Sequence, residues 1–240
     1  MIGLGTIINT VAIIIGGLLG VTLKNAFPAQ LQKPLISSIG VCTIFIGASG
    51  ALKEMLTIKD GMLASNNSMM MLVICFLLGT TVGELINLEG RIAQFGDWLK
   101  RISKSEGDSS FLDGFLTASL TVCVGAMAVM GAIQDGLTGD YSMLAAKGMA
   151  DGIIILIMAT TMGKGCIFSA VPVFLVQGSI TLLASFIQPL MTAAAISNLS
   201  IVGSILIFCV GINLIWGKTF RVANMMPSII FAVIYALIFA

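Results

Sequence analysis

An apolar run about as long as a bilayer is thick recurs eight times along this chain. The runs cover approximately 4–23, 35–52, 69–87, 114–134, 146–162, 167–187, 199–216 and 225–240. A lipid-spanning helix needs about 20 mostly apolar residues. Backbone in hydrocarbon must satisfy its own hydrogen bonds, which leaves helices as the fold for such runs. The expected class is therefore an all-α integral membrane protein, a polytopic bundle of seven to eight transmembrane helices. The count turns on 146–162, where Lys147 and Asp151 near the start leave both a full span and a re-entrant segment open. Only 10% of the 240 residues are charged, against about 25% in an ordinary soluble domain. That deficit disfavours soluble enzymes and secreted disulfide scaffolds, and a net charge of +1 argues against a nucleic-acid footprint.

The first run has no basic flank, so it reads as a retained helix and not a cleaved signal. Lys and Arg set the expected orientation. With the N-terminus outside, the inside loops hold Lys24, Lys33, Arg91, Lys100, Arg101, Lys104, Lys164, Lys218 and Arg221, and the outside loops hold Lys53, Lys59 and Lys147. Nine against three places both termini outside the membrane. From Glu84 to Lys104, Ile86, Ile92, Phe95, Leu99 and Ile102 recur at helical spacing between charges, with Trp98 among them. Such a segment is expected to lie in the headgroup plane. The polar linker Ser103–Ser110 that follows divides the chain into a first half, 1–105, with three spans and the interfacial helix, and a second half, 106–240, with four to five spans.

Three spans before the linker would relate the halves by inversion, a 3+3 repeat with two added helices, as in many secondary transporters. A shift of 114 residues aligns Ala12 with Ala126, Gly17 with Gly131, Leu23 with Leu137, Lys33 with Lys147 and Ile39 with Ile153. Gly16-x-x-x-Gly20, Gly79-x-x-x-Gly83 and Gly148-x-x-x-Gly152 would let backbones approach closely, within the chain or across a homo-oligomer face.

Histidine is absent, which removes an imidazole base, a Ser-His or Cys-His pair and histidine-held metal centres. Gly47-Ala48-Ser49-Gly50 looks like the rhomboid protease motif but lacks that base, and Gly139-Asp140 has Leu137 where the intramembrane aspartyl proteases need glycine. An enzyme is not expected, and no cofactor is implied. The five scattered cysteines read as small buried hydrophobes, and the fifteen methionines as packing filler before any soft-metal role.

A carboxylate at bilayer depth costs about 2.5–3.5 kcal/mol on insertion scales, so it should face a partner or water. The densest polar stretch is Gln134-Asp135-Gly136-Leu137-Thr138-Gly139-Asp140, followed by Lys147 and Asp151. Lys147 and Asp151 are four apart and share a helix face. The glycines between Asp135 and Asp140 would permit a broken backbone, tolerated at depth only where it is buried or lines water. Asn9 and Asn213, amides inside the first and seventh runs, complete the candidate path of Asn9, Gln134, Asp135, Asp140, Lys147, Asp151 and Asn213. Turn caps and a local ion pair remain the simpler reading of the same residues.

Gly5-Thr6-Ile7-Ile8-Asn9 with Gly16-Gly17, the block from Gly125-Ala126-Met127-Ala128 through Gln134-Asp135-Gly136 to Gly139-Asp140, Lys147 with Asp151-Gly152, and Gly211-Ile212-Asn213-Leu214 carry a resemblance. Over essentially its whole length the chain resembles the YqgA/YdfK-like family of bacterial multi-pass membrane proteins, a domain-of-unknown-function family. The resemblance implies an inner-membrane protein of a kind described as transporters, without an established substrate, and carries over no binding residue. The expected function is a transporter or channel for a small solute or cation, ion- or proton-coupled through its intramembrane aspartates. The alternative is a non-transporting scaffold or accessory subunit. The expected partners are the lipid bilayer and that solute or cation.

Overall fold

The structure is a computed structural model and describes residues 2–23, 29–59, 62–65, 68–105, 110–123 and 125–239. Lys24 of the orientation tally and Glu106–Ser109 of the linker lie outside the described residues. In chain order the helices are α1 (Leu4–Leu23), α2 (Ala29–Met55), α3 (Met69–Ile86), α4 (Leu88–Ile102), α5 (Phe111–Cys123), α6 (Ala126–Thr138) and α7 (Ser142–Met162). A 3₁₀ segment, Gly163–Ser169, leads to α8 (Ala170–Leu182), α9 (Ala184–Ile187), α10 (Ala193–Trp216), α11 (Val222–Met225) and α12 (Ser228–Phe239). A short antiparallel hairpin, β1 (Leu56–Lys59) with β2 (Met62–Ser65), follows α2. The protein is an all-α polytopic membrane protein. Six described helical stretches are long and apolar enough to cross a membrane, or seven when the bent pair α5–α6 counts as one span.

Two compact units are drawn from both sides of the linker. Unit 1 comprises Met1–Ile39, Arg91–Cys123 and Met127–Gln188; unit 2 comprises Gly40–Gly90, Val124–Ala126 and Pro189–Ala240.

In unit 1, α1 is patterned opposite to a water-soluble helix. Its small and polar residues Gly5, Thr6, Asn9, Gly16, Gly17 and Gly20 are buried, while Ile7, Val11, Ile15, Leu18 and Leu19 are exposed. Lipid supplies no hydrophobic drive between helices, so interfaces collect small residues that permit close backbones. A Cβ at Gly16 would run into Gly152 O of α7, and one at Gly20 into Leu156 O. Gly5 meets Leu144 and Gly20 meets Leu156, so α1 and α7 run in the same direction. Against the 3₁₀ segment and α8 the order reverses: Gly17 meets Ile167, Asn9 bonds Gln177 and Thr6 meets Thr181. The 41-residue stretch Ser142–Leu182 is therefore two legs folded back at the 3₁₀ segment. These legs are the expected fifth and sixth runs.

The expected fourth run, 114–134, is broken. α5 and the residues from Met127 meet at 62°, and Gly125 takes φ 144°, which favours glycine. The turn 139–141 leads α6 back into α7, and α6 itself runs unbroken past Asp135 and Gly136 to Thr138. The amphipathic helix forms as α4, with Ile92, Phe95 and Leu99 packed against Phe111 and Phe115 and with Trp98 exposed beside Phe95.

In unit 2, the second part of α2 runs antiparallel to α10: Gly40 faces Gly211, Gly47 faces Ser204, and Ser197 Oγ donates to Glu54 Oε2 at 2.8 Å. Gly79 and Gly83 of α3 lie on Ser228 and Asn224 of the α11–α12 stretch. All three Gly-x-x-x-Gly motifs are thus spent on packing within the chain.

Candidate functional site

α7 has 21 residues, about 31 Å of helix at 1.5 Å per residue, and Asp151 is its tenth. Asp151 is 5% exposed and Lys147 8%. The Lys147 ammonium is paired with Asp151 Oδ2 and donates to Val122 O at 2.7 Å. Val122 is the penultimate residue of α5, whose last carbonyls have no partner further along the helix because the chain bends away. The break in the fourth run thus frees an acceptor, and a lysine from α7 binds it.

From α1, Asn9 reaches the same level: Gly148 lies against its backbone and its amide acts on the Asp151 carboxylate. Asn9 Nδ2 also donates to Gln177 Oε1 of α8 at 3.1 Å. Asn9 Oδ1, Gln177 Nε2 and, on α5, Ser119 Oγ are buried without a hydrogen-bond partner.

One turn toward the start of α1, Asp135 of α6 is fully buried. Its Oδ2 accepts the Gly5 N–H at 3.0 Å, while Oδ1 is buried and unpartnered. Thr6 and Thr181 hydroxyls face each other at 3.4 Å beside it. On the outer side of these threonines lies an open apolar groove of about 320 Å³, lined mainly by the exposed Ile2, Ile7, Phe174, Leu175 and Leu182.

At the end of α6, Gln134 Nε2 donates to Asp140 Oδ2 at 2.9 Å. Asp140 Oδ1 accepts from the Ser142 hydroxyl and from the Ser142 N–H, the latter at 2.9 Å. These two bonds hold the Asp140 carboxyl below the usual carboxylate range.

A family model described as "Protein of unknown function (DUF554)" matches residues 4–237. The chain belongs to that family. It is similar to the uncharacterized membrane protein YdfK of Bacillus subtilis (strain 168), at 30% identity over 94% of this chain and 92% of the relative. It is also similar to the uncharacterized protein YqgA of Escherichia coli (strain K12), at 27% identity over 95% of this chain and 94% of the relative. No solved structure matches the chain.

Of the residues expected to line a path, unit 1 gathers Asn9, Gln134, Asp135, Asp140, Lys147 and Asp151, running from the α6–α7 turn down to the α5 break. Asn213 is elsewhere. It sits in unit 2 near the end of α10, where its amide donates to Phe220 O at 2.8 Å and its Oδ1 accepts from the Phe220 and Thr219 N–H groups at 2.8 and 3.0 Å. There it holds the turn that follows α10. Gln177, Thr6, Thr181 and the Val122 carbonyl were not expected from the sequence. A glutamine within an apolar run is a readable signal of a polar interior; a backbone carbonyl released by a bend has no signature in side chains.

Proposed function

We propose that the chain is a transporter or channel for a small solute or cation, with its path through the polar interior of unit 1. The observation that carries this reading is the buried Lys147–Asp151 pair at the midpoint of a membrane-length helix, bound to a carbonyl of a broken one. Taking two charges out of water costs several kcal/mol per ion, and well-packed apolar residues would hold helices together at least as well. Broken helices whose ends present carbonyls at mid-depth are the arrangement by which secondary transporters handle ions. A scaffold needs none of this, and its acids would sit at headgroup level.

The same reading places the protein in a bacterial inner membrane with both termini outside. Lys147 is interior, so the outside loops keep Lys53 and Lys59 against the nine inside cations, and the bias sharpens.

Reconstitution into proteoliposomes tests the proposal. Radiolabelled sodium and rubidium, methylammonium and a panel of amino acids are offered in turn, with empty liposomes as the baseline. Uptake of at least one of them above baseline, reduced at least tenfold by Asp151→Asn, is the expected result. Uptake that Asp135→Asn and Asp151→Asn both leave unchanged removes the path from unit 1. Baseline uptake across the whole panel overturns transport and leaves the scaffold.

A further inference from the structure

Among the described residues of unit 1, three charged side chains are buried: Asp135, Lys147 and Asp151. With all three groups charged, two carboxylates and one ammonium leave this interior one positive charge short. Lys147 is committed to Asp151 and Val122 O, so the shortfall falls on Asp135. Among the described residues, no ion pair reaches Asp135. α1 presents Gly5 and Thr6, α7 presents Leu144, and Gly136 beside it lies on Thr181 O and Ala184. On its own helix Gln134 is turned to Asp140. One backbone N–H is thin compensation for a carboxylate removed from water, and its second oxygen has nothing.

Lys147 lies between Asp151 and Leu144 along α7. Asp151 is one turn ahead, and Leu144, one turn behind, packs on Gly5, whose N–H binds Asp135. A lysine ammonium is a compact charge on a flexible four-carbon stem and is not bound to one geometry. Oxygen atoms suited to a hard cation come from the segments packed beside Asp135: its own free Oδ1, the hydroxyl of Thr6 next to Gly5, and the hydroxyl and carbonyl of Thr181, which lies on Gly136.

We propose that Asp135 holds one exchangeable monovalent cation and that Lys147, pairing with either Asp151 or Asp135, decides which carboxylate is left for it. This rests on the path proposed above and gives it an occupant, a stoichiometry of one, and a tethered competitor. When Lys147 turns to Asp135, the cation's place passes to Asp151, beside Val122 O and the unpartnered Asn9 Oδ1. A single cation thereby has two alternative stations along one polar column.

The test is a charge-count series on the full-length protein in detergent. Sodium, potassium and lithium chlorides are titrated against choline chloride at constant ionic strength and one fixed alkaline pH, with thermal unfolding as the readout. A ligand that binds only the folded state raises apparent stability saturably. At least one alkali ion should stabilise the unaltered protein, and Asp135→Asn should remove the effect. Asp151→Asn should also remove it, because Lys147 is then released to cover Asp135. Lys147→Met should lower the half-saturating concentration at least tenfold. The double variant Lys147→Met/Asp151→Asn should return it to within about threefold of the unaltered value.

That restoration separates a shared ammonium from ordinary damage, which would only accumulate. Unfolding midpoints in choline alone report whether each variant folds. No alkali effect on the unaltered protein, or an effect that survives Asp135→Asn, overturns the site. Asp151→Asn binding like the unaltered protein overturns the switch, and magnesium competing at equal concentration overturns the monovalent class. Binding that follows the series without flux in proteoliposomes would end the transport reading alone; flux without the series would end this one alone.

Discussion

Unit 1 and unit 2 use the same device to bring helices together and place their charges differently. In unit 1 Gly16 and Gly20 lie on α7 backbone; in unit 2 Gly79 and Gly83 lie on the α11–α12 stretch. Each pair lets a helix close on backbone where a side chain would hold it off. In unit 2 the ion pairs gather at helix ends. Arg221 donates to Glu84 at 2.6 Å and to Asn87 at 3.0 Å, and Lys218, mostly exposed, meets the buried Glu89 carboxylate in the first turn of α4 at 2.5 Å. In unit 1 the ion pair is half-way along α7. Charge at a helix end is within reach of water and headgroups, whereas charge at mid-helix must be answered by other helices. The contrast teaches that Gly-x-x-x-Gly reports packing in this chain, and that the depth of a polar group is what sets it apart.

The largest expected effect tests that depth. Lys147→Met leaves the Asp151 carboxylate buried and uncompensated and should cost about 3–5 kcal/mol in chemical unfolding without alkali ions. Lys147→Met/Asp151→Leu should recover most of it. A single substitution no costlier than Arg221→Gln would erase the difference between the units. Next come the shared packing faces. Gly16→Val drives a side chain into Gly152 O, and Gly83→Val drives one into Asn224 O, so each should lose about 1–3 kcal/mol or more. Similar losses in both units sharpen the comparison; a loss confined to one shows that the glycines play unequal parts.

Smaller effects belong to the helix ends. Asn213→Ala removes three hydrogen bonds to the turn after α10 and should cost about 1 kcal/mol, leaving the cation titration of unit 1 unchanged. Arg221→Gln breaks a half-exposed pair and should cost less than about 1 kcal/mol, less still in high salt, by the same unfolding assay. The smallest effect is at Asp140. Its carboxyl is held below the ordinary value in the folded protein, so the stability it lends is present above the unfolded value and is lost as pH falls through the folded one. Ser142→Ala should begin that acid loss at a higher pH, read from unfolding midpoints across the acid range.

Much of this architecture is legible in residue order. Runs such as 69–87 and 199–216 are apolar over a bilayer's thickness, and no other fold satisfies their backbone there. The i,i+4 spacing of Lys147 and Asp151 is fixed by helical geometry and reappears as an ion pair. The amphipathic period through Ile92, Phe95 and Leu99 fixes which side of α4 is buried. The location of the helix break is less legible: glycines at both 125 and 136–139 permit one, and only packing selects the first.

What the sequence by itself determined is the membrane class, the helices and the pairs one turn apart, because hydropathy and helical period act over neighbours. Only the tertiary structure decided that Asn9, Asp135, Asp151 and Gln177 share one interior while Asn213 holds a turn elsewhere. The reason is physical: an apolar run hides its depth and its rotation, and both are set by which helix it meets. A side chain's partners, including a carbonyl released by a bend some 25 residues away, exist only once that meeting has occurred.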